Sequence, residues 1–208
     1  MKYFKTLLYR RMTLTKTMRG FSLVELLVVV AIFAMISGLI LANHSRFNSS
    51  VLLGSLAYNI ALSIREAQVY GLSVKQFSDE FQVGYGVHFD IDNPDQYLLF
   101  ADVFQGGPPN KIFDAGDSII ETFTVGRGHV ITKFCGVHSS ESQCSDGSTA
   151  TTIDHLDIVF FRPEPDAFIS SVEPGYYSRA TVVVSSPNAN TRTITIESTG
   201  QITVSSTN

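Results

Sequence analysis

The feature that most constrains this chain is a nearly unbroken run of Leu, Val, Ile, Ala, Phe and Met from Phe21 to Ala42. At about 1.5 Å of rise per residue, a helix of that length covers the ~30 Å hydrocarbon core of a bilayer. Upstream lie Lys2, Lys5, Arg10, Arg11, Lys16 and Arg19, with no acid among them. Basic flanks stay on the cytoplasmic side, so everything after the run is expected to be exported.

One residue breaks the pattern. Glu25 sits inside the apolar segment, where a carboxylate costs a few kcal/mol and needs a partner. A cut between Gly20 and Phe21 would place a new α-amino group one helical turn from Glu25, and a neighbouring copy of the helix would supply another. The carboxylate would also lie in the first turn, where the helix dipole favours it. An ordinary signal anchor that happens to carry one Glu is the plainer alternative. A secretory signal peptide fits worse, because no small-residue cleavage site follows the apolar segment.

The stretch Gly20-Phe21-Ser22-Leu23-Val24-Glu25-Leu26-Leu27-Val28-Val29 resembles the class III signal of type IV pilins and type II secretion pseudopilins. That resemblance implies cleavage after Gly20 by a prepilin peptidase, N-methylation of Phe21 and an assembly role for Glu25. The leader is long for the purpose, and Met1, Met12 and Met18 are all possible starts.

The sequence has 208 residues, enough for one anchored domain with a substantial core. Of its 15 Lys and Arg, six precede Gly20, which leaves nine against 19 Asp and Glu, a net charge of −10 for the mature chain. Such a balance argues against nonspecific nucleic-acid binding, which depends on neutralising phosphates. The two cysteines, Cys135 and Cys144, fall in the exported part, where a local disulfide is the expected use. Zinc is the weaker alternative, because His129 and His138 lie near but no paired ligand spacing is present.

The pattern is α+β: a long N-terminal helix followed by strands. We divide the chain into a leader (1–20), a transmembrane and assembly helix (21–42), an amphipathic continuation (43–71) and an exported β-rich domain (72–208). Leu53, Leu56, Ala57, Ile60, Ala61, Ile64 and Ala67 carry the helical spacing of the continuation, and Gly71 is its expected stop. Phe81 to Ile91 alternates with a period of two, which predicts a half-buried strand. Further strands are expected at 97–101, 119–125, 129–134, 156–161, 180–184, 193–196 and 201–204. Gln105 to Asn110 reads as a loop, with turns at Gly126-Arg127-Gly128, Ser186-Pro187-Asn188 and Thr199-Gly200.

Within the pilin family, Leu56 to Ala67 and the closing Thr193 to Ile202 resemble the H-type minor pseudopilins and T-type fimbrial pilins. That branch implies a long helix packed on a β-sandwich-like domain. Its DNA-binding members carry a basic Gly-Arg-x-Arg-like end, whereas here Gly200 is followed by Gln201-Ile202-Thr203, which argues against that activity.

No nucleophile elbow, phosphate loop or dinucleotide fingerprint is present, so the chain is not read as an enzyme. The histidines (44, 88, 129, 138, 155) are scattered, and His88 and His155 are expected at the surface or as caps. Asp102, Asp114 and Asp117 flank a Gly/Pro-rich loop and are weak calcium candidates, as are the turn residues Asp90, Asp92 and Asp95. Both groups lack the spacing of a dedicated calcium loop. The expected role is a minor pseudopilin of a type II secretion filament. Its partners would be the prepilin peptidase/methylase, other pilin subunits and an inner-membrane assembly platform. The alternatives are a minor pilin of a type IV pilus or a membrane-tethered β-domain that binds a ligand or surface and never polymerises.

Overall fold

A computed structural model describes residues 20–73, 77, 83–103, 109–171 and 176–207. The expected leader (1–19), the expected strand start at Phe81 and Gln82, and residues 105–108 of the expected loop lie outside them. The chain forms two units, one up to His44 and one from Ser45 onward. A single helix, α1, spans Leu23–Leu72. Ten strands are assigned among the described residues: β1 Gly84–Asp90, β2 Gln96–Asp102, β3 Ser118–Thr124, β4 Val130–His138, β5 Glu141–Cys144, β6 His155–Phe160, β7 Ala167–Ser170, β8 Arg179–Ser185, β9 Thr191–Glu197 and β10 Ile202–Thr207.

The strands make two antiparallel sheets, in the orders β3-β2-β1-β6-β7 and β10-β9-β8-β4-β5. Their inner faces and α1 share one core. From the helix come Leu53, Ala57, Ile60, Ile64 and Ala67, all buried, at the spacing that one helical face requires. Opposite them stand Tyr85, Val87, Phe89, Leu99, Ile158 and Phe160 of the first sheet and Ile131, Phe134, Val182, Val184, Ile194 and Ile196 of the second. Ile131 and Phe134 are three apart yet both face inward, because a register shift between Ile131 and Lys133 absorbs the extra residue. Each large aliphatic side chain so buried contributes on the order of 1.5–3 kcal/mol.

Polar ties fix the helix on the sheets. The Ser63 hydroxyl lies 3.0 Å from Tyr97 Oη, and burial pushes the Tyr97 phenol up to about 12. Gln68 Nε2 donates to the carbonyls of Pro165 (3.2 Å) and Gly200 (3.3 Å), joining α1 to the turn that closes β9 and β10. Gly71 has a different role from the expected helix stop. The helix runs on to Leu72, and a Cβ on Gly71 would run into the backbone of Phe160, so the glycine permits close approach of helix and strand.

Strand β1 also departs from expectation. It is buried on both faces, because it is the middle strand of its sheet and its outer face is covered by the segment around Phe113. That explains its glycines: a Cβ on Gly86 would come within 2.8 Å of both Phe100 and Val159 on the outer face. Strands β5 and β7 were not expected. Glu-Ser-Gln-Cys reads as a polar loop, and Ala167–Ser170 is short and follows two prolines.

Cys135 and Cys144 are opposite one another in the β4–β5 register and are joined by a disulfide. Closing so short a loop stabilises by about 2–3 kcal/mol in the chain-entropy account.

Replacing Ile64 by Ala should cost about 2–5 kcal/mol, seen as a lower urea midpoint with an unchanged slope. An unchanged midpoint would mean that the helix stripe is not part of the cooperative core.

Candidate processing and assembly site

Helix α1 begins with one carboxylate, Glu25, in its first turn. The first helical bond runs from Leu26 N to the carbonyl of Ser22 at 3.1 Å, which makes Ser22 the residue at which the chain enters the helix. Gly20, Phe21 and Ser22 precede it in irregular conformation and are exposed, with Phe21 78 % accessible. Among the described residues, nothing beyond its chain neighbours lies within 4 Å of a Cβ built on Gly20. Leu23–Leu41 is apolar and long enough to cross a membrane, and none of it is buried. Glu25 makes no ion pair or side-chain hydrogen bond among the described residues. A lone carboxylate thus stands at the head of a bare apolar helix, four residues after Phe21.

Four of the acids singled out as calcium candidates, Asp90, Asp102, Asp114 and Asp117, accept hydrogen bonds within their own loops. Asp102, fully buried, accepts the backbone N–H groups of Asn110 (3.2 Å) and Lys111 (2.7 Å). Asp114 accepts Gly116 N (2.7 Å) and Asn110 Nδ2 (2.6 Å), and Asp117 accepts Val103 N and Asp114 N, both at 2.9 Å. Their oxygens organise their own loop. In the other group, Asp90 Oδ1 accepts Asp92 N at 2.9 Å and its Oδ2 accepts Asn93 Nδ2 at 3.1 Å, an Asx-type turn. Among the described residues, no group of three or more His, Cys, Asp or Glu is placed to hold a metal ion.

His88 corrects the surface reading. It is buried on the outer face of the first sheet, with Nδ1 bonded to Asp157 Oδ1 at 2.6 Å and its ring against Phe113 at 4.4 Å. Asp157, wholly buried, also accepts Phe113 N at 3.1 Å, and half-buried His155 stands 4.0 Å from its other oxygen. A signal was available in the sequence, since Asp157 interrupts the otherwise apolar run Leu156 to Phe161. The pair and the Asp102 bonds hold Asn110–Phe113 over the sheet, a structural use of polar groups.

These sites can now be set beside known proteins. Residues 15–41 match the family model described as the prokaryotic N-terminal methylation motif. The chain carries a prepilin-like N-terminus. No curated protein matches the chain, and no solved structure does. The motif spans the exposed Gly20–Phe21 bond and Glu25, and it implies processing by prepilin peptidase and assembly with other pilins. Together with the apolar helix it points to a membrane-anchored chain with a prepilin-like N-terminus.

Burial pushes the Asp102 carboxyl up to about 7, against the lowering effect of the Lys111 amide, and burial raises Asp117 as well. A carboxyl whose pKa is higher in the folded than in the unfolded state binds its proton more tightly when folded. Its contribution is therefore complete below about pH 4 and is lost as pH rises towards about 7. Urea midpoints should fall across that window. Asp102→Asn should lower the baseline, because one amide bond is lost, and should flatten the fall; an undiminished slope would remove Asp102 as its source.

Proposed function

We infer that the chain is a minor pseudopilin: a subunit made as a membrane precursor, cut between Gly20 and Phe21, N-methylated on Phe21 and added to a type II secretion filament. The observation that carries this reading is Glu25, a carboxylate without a partner among the described residues, in the first turn of α1 at the head of the unburied apolar span Leu23–Leu41 and inside a methylation motif. In a bundle of such helices a buried carboxylate without a partner is costly, whereas the Phe21 amine of an adjacent subunit would neutralise it and set the axial step between subunits. The basic residues before Gly20 favour a cytoplasmic leader, with the β-rich unit on the other side of the inner membrane.

The disulfide supports the same topology, since such bonds persist in oxidising compartments. Among the described residues the buried polar groups of the β-rich unit, such as His88, Asp102 and Asp157, hold a loop over the first sheet. On this reading the chain is the substrate of an enzyme, not an enzyme.

Mass spectrometry of the protein from cells with active prepilin peptidase should find a chain beginning at methylated Phe21. A mature chain beginning at Met1, Met12 or Met18 would overturn the proposal. Glu25→Ala should leave cleavage and the unfolding midpoint of the β-rich unit unchanged while removing the subunit from the sheared filament fraction. Normal incorporation would favour a tethered domain that does not polymerise. Deleting the gene should stop secretion of folded exoproteins while leaving any type IV pili in place; loss of pili with intact secretion would move the subunit to the pilus.

A further inference from the structure

The open side of the two-sheet unit holds a cleft with a built lining. Strands β5 and β7 are the terminal strands of their respective sheets, yet both outer edges are capped there: Thr152 bridges Cys144, and Tyr177 bridges Ile169. Between the capping segments lies a cavity of about 350 Å³, lined among others by Gln143, Asp154, His155, Ser171, Tyr176 and Tyr177. That is the scale of small-ligand sites.

One wall is an aromatic platform that is held in place. Tyr176 is 37 % exposed, yet its ring stacks on His138 at 4.1 Å and 12°, and its carbonyl accepts a bond from His138 Nδ1 at 2.6 Å. Tyr177 meets it edge-on at 5.0 Å. The Tyr177 hydroxyl donates to Gln143 Oε1 at 2.7 Å, which orients the Gln143 amide and leaves its NH₂ group as a donor. Two further polar groups of the lining, those of Ser171 and Asp154, are left over. Ser171 is only 4 % exposed, and its hydroxyl makes no hydrogen bond among the described residues; nor does the carboxylate of exposed Asp154.

A fixed aromatic face beside unmatched hydroxyl, amide and carboxylate groups suits a ligand with an apolar face and a rim of hydroxyls. We propose that this cleft binds a neutral saccharide, with a pyranose ring laid on Tyr176 and its hydroxyls bonded to Asp154, Gln143 and Ser171. An anionic ligand is disfavoured, because the lining holds Asp154 and, among the described residues, no Lys or Arg. An added peptide strand is disfavoured too, because the edge bonds it would need are taken by Thr152 and Tyr177.

The test uses the full chain in a zwitterionic detergent without a sugar headgroup, since glycoside detergents would compete. Saturation-transfer NMR and titration would be run with methyl glucoside, methyl galactoside, N-acetylglucosamine and the corresponding β-linked disaccharides. At least one should bind saturably. Tyr176→Ala should weaken it about tenfold, the loss expected when an aromatic contact is removed. Tyr176→Phe should retain binding, because the ring face and not the hydroxyl is used, and Asp154→Asn should weaken it several-fold. Asp154 is exposed and Tyr176→Phe keeps the stacked ring, so the unfolding midpoints of Asp154→Asn and Tyr176→Phe should stay at the wild-type value. The proposal is overturned if no sugar in the panel binds saturably, if Tyr176→Ala binds as the parent does, or if a random-sequence peptide displaces the sugar and binds more tightly.

Discussion

The fold of the β-rich unit depends on a helix face that neither sheet could replace. Leu53, Ala57, Ile60, Ile64 and Ala67 enter the same core as the inner residues of both sheets, so strands far apart in the chain are gathered on one apolar stripe. Where α1 and β6 touch, the fit is close enough to demand a glycine at position 71. Ser63 and Gln68 add directional bonds on either side of the stripe, one to β2 and one to the β9–β10 turn. Burial sets the strength of the association, and the polar ties set its register.

The outer face of the first sheet shows a second way of organising a sheet. Gly84, Gly86, His88, Asp102 and Asp157 would make a poor solvent-facing surface, since two are glycines and two are buried carboxylates. Those carboxylates instead accept main-chain N–H groups from Asn110, Lys111 and Phe113, and Phe113 packs on His88 and Phe100. Lys111 takes a left-handed backbone and sets its ammonium 3.6 Å from the centre of the Phe168 ring. Polar groups here are matched within the domain.

Legibility followed the range of the forces involved. The helical stripe was readable because Leu53 to Ala67 repeats at a fixed local spacing, and β8 and β9 because Ala180, Val182 and Val184 and then Ile194 and Ile196 alternate. The processing segment was readable from Gly20, Phe21 and Glu25, as it is a linear signal. The burial of His88 was not, since it depends on a loop some 25 residues away that folds back over the strand. Strands β5 and β7 were hidden for a different reason: each is only four residues long, too short to show a period of two, and each is a strand only through its pairing with the strand just before it, Cys135–His138 for one and Asp157–Phe160 for the other. The cleft between their caps has no linear signature, because its lining comes from positions 143, 151–155, 171 and 176–177.

The Cys135–Cys144 bond fastens the shortest member of its sheet to β4, and this gives the unit a sense of chronology. On the proposed topology the thiols meet an oxidant only after translocation, so β5 is secured only once the domain has left the cytoplasm. A copy stalled on the cytoplasmic side would keep two thiols and a loosely held rim. Maturation would then be recorded twice on one molecule, by a peptide bond cut at one end and a sulfur bridge formed near the other.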